Sequence, residues 1–398
     1  MLEVAEEKTA EVIEKKKDEK KPFEVFVPAG GVLVLTLFAH FINDTYSMLT
    51  PSLLPVLKDK FSLSYLQLGI LTSIPFVISA LLQSFSGHFG EKFGVRKVLL
   101  VGGFLTLGFA YTIFSQAPTY HLMLLAAILI GLGLSTYHPQ GISILTASFS
   151  SGERGKVLGI HGIGGSLGFL MGPFLGGTIL ATMGIDGFKW IWIPAVLMAL
   201  VIWKYLRIEE HPVEKSYLST FSLTLLAVAF LASINTFFSR GVSSFLPSYF
   251  YAHGKGIFDA NLFTTYMLLP GLIAQPLGGY ISDKLGRKRV IATGYIIASL
   301  LLYLFIKNPH IYILILMGFF VFLTIPVRYA FVIDVAGEKA GTGVGVMLTF
   351  SLMLASFAPT FIGFLIDRFG FEKAFAVVAL IGATAGLLVL TLKEGGKK

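Results

Sequence analysis

Ionisable side chains inside long apolar stretches are the residues of this sequence whose types and spacing could do chemistry. His40 and Asp44 lie four positions apart in "HFINDTYS", which places both on one face of a helix. An imidazole and a carboxylate at this spacing can share or exchange a proton. Four further ionisable residues lie in later apolar stretches: His138, His161, Arg240 and Arg328. The first half of the chain therefore supplies an acid with imidazoles, and the second half supplies guanidinium groups.

The stretches that must position these residues have the composition of membrane helices. Of the 398 residues, 55% are apolar and 14% charged, and the mean hydropathy is +0.77. A helix needs about 20 apolar residues to cross a bilayer. Twelve windows meet this length, and we name them spans 1 to 12: 31–55, 66–88, 97–117, 122–149, 156–183, 188–206, 220–250, 261–282, 290–306, 310–333, 341–366 and 371–392. An ionisable group there costs roughly 2.5–3.5 kcal/mol, so each one indicates a partner or a water-filled cavity.

Several classes of protein are disfavoured by the same composition. A net charge of +8 would suggest nucleic acid in a soluble protein, but here the basic residues cluster in the connections between spans. The chain has no Cys, no phosphate-binding glycine loop and no H-E-x-x-H pattern, and no added signalling domain is visible. We therefore expect neither an enzyme nor a receptor, and no cofactor, no metal and no nucleic-acid partner.

The distribution of Lys and Arg predicts the orientation. Most of the 31 basic residues fall on one side if both termini are cytosolic, which predicts a multi-pass protein of the cytoplasmic membrane. The predicted organisation is all-α, with two pseudo-symmetric six-helix bundles. Its parts are a charged cytosolic tail (1–30), a first bundle (31–206), a cytosolic linker (207–219), a second bundle (220–393) and a short tail (394–398).

A polar unit occurs twice, as "GHFGEKFGVRK" at 87–97 and "GYISDKLGRKR" at 279–289. The same spacing relates Asn43 to Asn235 and Ser47 to Ser239. Internal repeats of this kind are typical of secondary transporters. We interpret the two polar units as a conformational latch on the cytosolic side, formed by Gly87, Glu91, Lys92, Gly279, Asp283, Lys284 and Arg287.

Twelve predicted helices, related halves and G-x-x-x-[DE]-[RK]-x-G-x-[RK] in both loops resemble the major facilitator superfamily. The resemblance implies that spans 1, 4, 7 and 10 line a central cavity and that the protein is a monomer. Span 5 also matches the pattern that this superfamily associates with antiporters, G-x8-G-x3-G-P-x2-G-G, through Gly159, Gly168, Gly172, Pro173, Gly176 and Gly177. Physically, such glycines permit close helix packing and the proline sets a bend.

Within the superfamily the sequence resembles the fosmidomycin-resistance group of drug efflux proteins. The resemblance is carried by residues 40–71, by "YHPQG" at 137–141 and by residues 150–173. It implies proton-driven export of small drugs across the bilayer, with phosphonate antibiotics as the prototype. Where this chain has Gln140, that group tends to have Glu.

Our hypothesis for the site separates proton coupling from cargo binding. Asp44 carries the proton, with His40 or His138 as its partner. The cargo, a small anionic or amphiphilic molecule, meets Arg240, Arg328, Asn43, Asn235, Tyr137 and Gln140. Alternatives stay open at this point: Asp44 as a structural cap, His138 and His161 as packing residues, and Arg328 as a partner of Asp334. A proton-coupled symporter that takes up an organic anion is the alternative function.

Overall fold

The computed structural model describes residues 23–150, 152–210, 223–336 and 340–392. Most of the predicted linker and of both tails lies outside these ranges. In chain order the elements are β1 (Phe23–Val25), α1 (Ala29–Ser47), α2 (Leu49–Phe61), α3 (Tyr65–Phe93), α4 (Arg96–Gln116), α5 (Tyr120–Ala147), α6 (Arg154–Met183), a 3₁₀ helix (Ile185–Trp190), α7 (Trp192–Tyr205), β2 (Ile208–Glu210), α8 (Leu223–Ala252), α9 (Ile257–Leu268), α10 (Gly271–Leu285), α11 (Arg287–Lys307), α12 (Ile311–Ala336), α13 (Ala340–Phe369) and α14 (Phe371–Thr391).

The prediction of twelve membrane-crossing helices is confirmed for the described residues. Helices are expected because a backbone in hydrocarbon must satisfy its hydrogen bonds within its own segment. Local signals set the ends of span 2. Ser64 caps its start by accepting a hydrogen bond from the backbone N–H of Gln67, and Gly94 ends it with a φ of 63°, a left-handed conformation that favours glycine.

Two of the twelve spans are broken by proline. Span 1 consists of α1 and α2, and the break lies at Met48. Pro51 has no N–H to donate to the carbonyl of Ser47, and its ring crowds that carbonyl, so the helix cannot continue regularly there. Span 8 breaks in the same way between α9 and α10, at Pro270. Buried polar side chains lie beside each break, Ser47 and Thr50 in span 1 and Thr264 and Thr265 in span 8.

Hydrogen bonds join the two halves of the molecule at one end. We call the end that carries Pro28 and Leu392 the termini end, and the other the opposite end. At the opposite end, Asp367 of span 11 accepts hydrogen bonds from the backbone N–H groups of Tyr65 and Leu66, at 2.8 and 2.7 Å. Deeper in the same seam, the Thr360 N–H and hydroxyl lie 3.1 and 2.8 Å from the Ser73 hydroxyl. These contacts close the opposite end.

A small antiparallel sheet lies at the termini end and was not predicted from the sequence. Strand β1 pairs with β2, so that Val25 is opposite Ile208 and Phe23 is opposite Glu210. The Glu210 carboxylate accepts hydrogen bonds from the backbone N–H groups of Arg96 and Lys97, at 2.9 and 3.1 Å. The chain just before span 1 is thus joined to the start of the predicted linker and to the start of span 3.

Candidate functional site

The centre of the candidate site is the buried carboxylate of Asp44, near the end of α1. Its side chain is 4% exposed, and three side chains surround it. One carboxylate oxygen lies 3.2 Å from His40 Nε2, and the other lies 3.6 Å from His138 Nε2. The Asn43 side-chain amide donates to that second oxygen at 2.9 Å. The structure therefore brings His40, Asp44 and His138, the three residues of the predicted proton site, together with Asn43, which the sequence hypothesis assigned to the cargo.

The ring of His40 is oriented by a backbone carbonyl. His40 Nδ1 lies 3.1 Å from the carbonyl oxygen of His161. Because a carbonyl only accepts hydrogen bonds, Nδ1 must carry a hydrogen, which leaves Nε2 directed at Asp44. In a neutral imidazole that Nε2 would present a lone pair to a carboxylate, an unfavourable pairing. A proton between His40 and Asp44 removes the repulsion, so this geometry suits a pair that holds a proton.

His161 belongs to this cluster, although the sequence hypothesis left it outside the proton site. Its ring stacks on that of His40 with centroids 4.3 Å apart, and its Nε2 lies 2.9 Å from the Tyr137 hydroxyl. That hydroxyl donates in turn to the carbonyl of Thr36. Tyr137 is 1% exposed, so its hydroxyl supports the histidine cluster from within the bundle. The sequence signal was the pair His161 and Gly165, four positions apart on one face of span 5.

Glycines of span 5 make room for this cluster against span 1. A Cβ on Gly165 would lie 2.8 Å from an Asp44 carboxylate oxygen, and one on Gly168 would lie 2.9 Å from the Asp44 Cβ. A Cβ on Gly172 would likewise crowd Met48, and one on Gly176 would crowd Ser52. A Cβ on Gly177 would meet Asn261 of span 8, whereas a Cβ on Gly159 would have no neighbouring atom within 4 Å. Of the predicted glycine pattern, the structure thus places the part from Gly168 onward in helix contacts.

Arg240 presents a positive charge from the second half of the chain. Its guanidinium lies 3.6 Å from the centre of the Phe76 ring, which belongs to span 2 in the first half. Its side chain is half-buried, and Nη1 has no hydrogen-bond partner among the described residues. An unsatisfied guanidinium nitrogen held on an aromatic ring is a suitable group to receive an anion.

Arg328 differs from Arg240 because its bonds lie within its own half. It is 5% exposed and donates to the Ala232 carbonyl and, at 3.0 Å, to the Thr236 hydroxyl. The repeat spacing maps His40 onto Ala232 and Asp44 onto Thr236, so the second half has an arginine contact where the first has an acid and imidazole. Asp334, the open alternative partner of Arg328, lies 3.5 Å from Arg287 instead.

The remaining predicted cargo contacts are buried. Gln140 is 1% exposed and donates to the Ser86 carbonyl at 2.6 Å, which joins span 4 to span 2. Asn235 is 4% exposed, and its side-chain oxygen has no hydrogen-bond partner among the described residues. The structure therefore groups Asp44 with the histidines, places Arg240 on Phe76, and gives Gln140 and Arg328 hydrogen bonds within their own halves.

Comparison with known proteins agrees with this architecture. The family model described as Major Facilitator Superfamily matches residues 36–225 and 225–398, which is nearly the whole described chain. The chain belongs to the major facilitator superfamily.

Individual relatives show how far this likeness extends. The chain is 24% identical over 384 residues to the fosmidomycin resistance protein of Escherichia coli K12, covering 92% of this chain and 94% of the relative. It is 26% identical over 260 residues to the probable nitrate/nitrite antiporter NarK1 of Thermus thermophilus, covering 59% and 57%. Among solved structures, a bacterial homologue of the human lysosomal transporter Spinster, in an inward-facing and occupied conformation, has a TM-score of 0.77 at 16% identity, covering 94% of this chain and 98% of that one. The fold of a major facilitator transporter is thereby confirmed.

The two copies of the superfamily's loop motif form ion pairs within their own halves. In the first copy Glu91 lies 3.8 Å from Arg96, and Gly87 packs against Pro139. In the second, Arg287 lies 2.5 Å from Asp283. The lysine of each copy lies over a neighbouring ring, Lys92 over Phe93 and Lys284 over Tyr280. A Cβ on Gly279 would have no neighbouring atom within 4 Å. The latch function of these residues stays a prediction.

The acid and two of its histidines are spaced to hold a small cation. The nitrogen atoms of His40 and His138 and a carboxylate oxygen of Asp44 all lie within 4.8 Å of one another. The sequence predicted no metal here. The arrangement provides lone pairs that a proton can use.

Proposed function

We propose that this transporter exports small anionic or amphiphilic molecules, with phosphonate antibiotics as the prototype, in exchange for protons. The observation that carries the proposal is the placement of opposite charges on the two halves. Asp44 is surrounded by imidazoles in the first half, and Arg240, in the second half, lies on Phe76 with a guanidinium nitrogen that has no hydrogen-bond partner among the described residues. One group suits a proton and the other suits an anion.

Coupling follows from the electrostatic interaction between these groups. When Asp44 is ionised it competes with an anionic cargo for Arg240, and when it is protonated that competition is weaker. A bound anion near Asp44 in turn favours its protonation, which is the same coupling seen from the side of the cargo. Within one conformation this electrostatic interaction favours joint binding of proton and anion, so exchange requires alternating access, in which the proton enters from one side and the cargo from the other. The glycine packing of span 5 against span 1 supports an antiporter, since span 1 carries Asp44.

We further propose that the termini end is cytosolic in the cytoplasmic membrane and that the protein works as a monomer. The support is the basic residues at that end, in particular Lys92, Arg96, Lys97, Arg287 and Arg289. With this orientation, the contacts of Asp367 and Thr360 close the outer side and the conformation is inward-facing. The predicted latch would form across the halves in the outward-facing state.

The test uses purified protein in liposomes with a pH-sensitive dye inside. A phosphonate is loaded on one side, and the direction of proton movement is compared with that of the cargo. Opposite directions support antiport. Movement in the same direction assigns the alternative, proton-coupled symport of an organic anion. Phosphonate flux without any proton movement would contradict both.

A neutral ester of the same phosphonate serves as the matched control. Because Arg240 is proposed to meet the anionic group, the ester should move more slowly than the phosphonate at equal concentration. Equal fluxes for the two molecules would remove the anion from the proposal.

A further inference from the structure

An apolar crevice on the outer surface of the first half separates span 1 from span 6. Its volume is about 740 Å³, within the usual range of roughly 300–1,000 Å³ for small-molecule sites. Its walls include Val34 and Phe38 of α1 and Leu197 and Val201 of α7. Each of these four side chains is more than a third exposed. The crevice therefore presents an apolar surface where a membrane-crossing protein meets lipid.

The crevice exists because spans 1 and 6 each pack on a different neighbour. Span 1 lies mainly on span 5, and span 6 lies mainly on span 3. Gly30 and Gly31 widen the gap at the termini end, since neither fills it with a side chain, and a Cβ on Gly30 would have no atom within 4 Å. The space is thus long, apolar and open along its length to the bilayer.

Basic and aromatic side chains lie at the mouth of the crevice. Tyr205 is one of its lining residues, and the Lys204 ammonium lies 5.1 Å from the centre of the Tyr205 ring. Arg207, two positions after Tyr205, is exposed, and its carbonyl accepts a hydrogen bond from the backbone N–H of Phe26 at 2.9 Å. Aromatic rings with Lys and Arg beside them mark the level of lipid headgroups. The mouth therefore carries positive charge at headgroup depth.

Acids lie beside these cations, so the positive charge at the mouth is partly offset. Glu24 and Glu209 are opposite each other across the small sheet, and Glu209 is two positions after Arg207, the spacing at which strand residues share a face. Glu210 is occupied by Arg96, with 3.2 Å between Glu210 and the guanidinium. Lys204 and Arg207 stand on either side of Tyr205 in the chain, and Tyr205 lines the apolar slot.

We propose that this crevice binds one anionic diacyl phospholipid, with an acyl chain in the apolar slot and the phosphate at Lys204 and Arg207. The anionic class is favoured over a zwitterionic lipid because each Lys or Arg near a bilayer surface attracts anionic lipid with about 1 kcal/mol. The inference goes beyond the proposed transport function and does not depend on it. The lipid would fill the space beside span 1, the helix that carries His40 and Asp44.

The experiment measures lipid retention by native mass spectrometry of the full chain, with thermal unfolding in detergent as a second readout. Phosphatidylglycerol and phosphatidylcholine with identical acyl chains are the probes. The wild type should retain one phosphatidylglycerol and be stabilised more by it than by phosphatidylcholine. Equal retention of the two lipids would overturn the proposal.

Two variants separate the parts of the site. The double variant Lys204→Gln with Arg207→Gln should bind phosphatidylglycerol about 30-fold more weakly, with phosphatidylcholine binding unchanged. Val34→Trp should reduce retention of both lipids, because the indole occupies the slot. Retention of phosphatidylglycerol at the wild-type level in either variant would contradict the proposal.

Lys307→Gln is the matched control, since Lys307 also lies over a tyrosine ring, that of Tyr303, but in the other half of the chain. Its phosphatidylglycerol binding should equal that of the wild type. A loss as large as in the double variant would show general surface attraction instead of a site. Displacement of the retained lipid by an anionic phosphonate drug would assign the crevice to cargo, and would likewise overturn the lipid proposal.

Discussion

Asp367, in span 11, caps the first turn of span 2 at Tyr65, more than 300 residues earlier in the chain. Both carboxylate oxygens are used, one by the Tyr65 N–H and one by the Leu66 N–H. A carboxylate is favoured at a helix N-terminus because the first N–H groups have no partners within the helix. Here the cap comes from the other half of the molecule, so it must break whenever the opposite end opens.

Removing this cap should favour the conformation that is open at the opposite end. Asp367→Ala leaves two N–H groups to water and costs the closed state about 1 kcal/mol, equivalent to about fivefold in the equilibrium between the states. The chain has no Cys, so spin labels at Lys60→Cys and Lys373→Cys can report the distance between the halves. Asp186→Ala, an exposed acid at the same end, is the control and should leave the distances unchanged. An unaltered distance distribution in Asp367→Ala would show that the cap does not hold the gate.

Asp44→Asn should abolish transport driven by a pH gradient and preserve exchange of cargo for cargo. The amide keeps the shape of the side chain but can no longer take up or release the proton that His40 and His138 surround. Flux in proteoliposomes with and without a pH gradient checks this. Asp259→Asn, at an exposed helix start, should behave as the wild type. Full pH-driven flux in Asp44→Asn would exclude this residue from coupling.

Arg240→Ala should weaken anionic cargo far more than neutral cargo. Loss of a hydrogen bond to a charged group costs about 1.5–3 kcal/mol, or roughly 10- to 150-fold in the dissociation constant. Binding of a phosphonate and of its neutral ester, measured calorimetrically, gives the comparison. Arg289→Ala removes the same charge from an exposed position and should change neither. Equal losses for both cargoes in Arg240→Ala would mean that the guanidinium only stabilises the fold.

Two Gly→Ala substitutions in span 5 should have opposite consequences. In Gly165→Ala the new methyl group meets the His40 ring and an Asp44 oxygen, so we expect loss of pH-driven transport and destabilisation of about 1–3 kcal/mol. In Gly159→Ala the methyl group has open space, and stability should be unchanged or raised by about 0.5–1 kcal/mol. Thermal unfolding and flux assays check both. Normal coupling in Gly165→Ala would show that the packing around Asp44 is not required.

The sequence by itself determined the spans, the repeat and the superfamily. Long apolar runs form helices in lipid, because a helix satisfies the backbone hydrogen bonds within its own segment. The loop motif could be recognised from the sequence because its glycines, acids and bases are close together in the chain. It also determined that His40 and Asp44 share a face, since a spacing of four is a local property of one helix.

Tertiary structure alone decided which distant groups meet. Arg240 lies on Phe76, and Arg328 donates a hydrogen bond to Thr236 of span 7. Both contacts depend on how the helices pack, and residues that are far apart in the chain give no local signal of it. The same holds for the His161 carbonyl that orients His40, and for the strand before span 1 that pairs with the strand after span 6. In each case the contact depends on the relative position of two segments that are distant in the chain, and sequence periodicity specifies only one segment at a time.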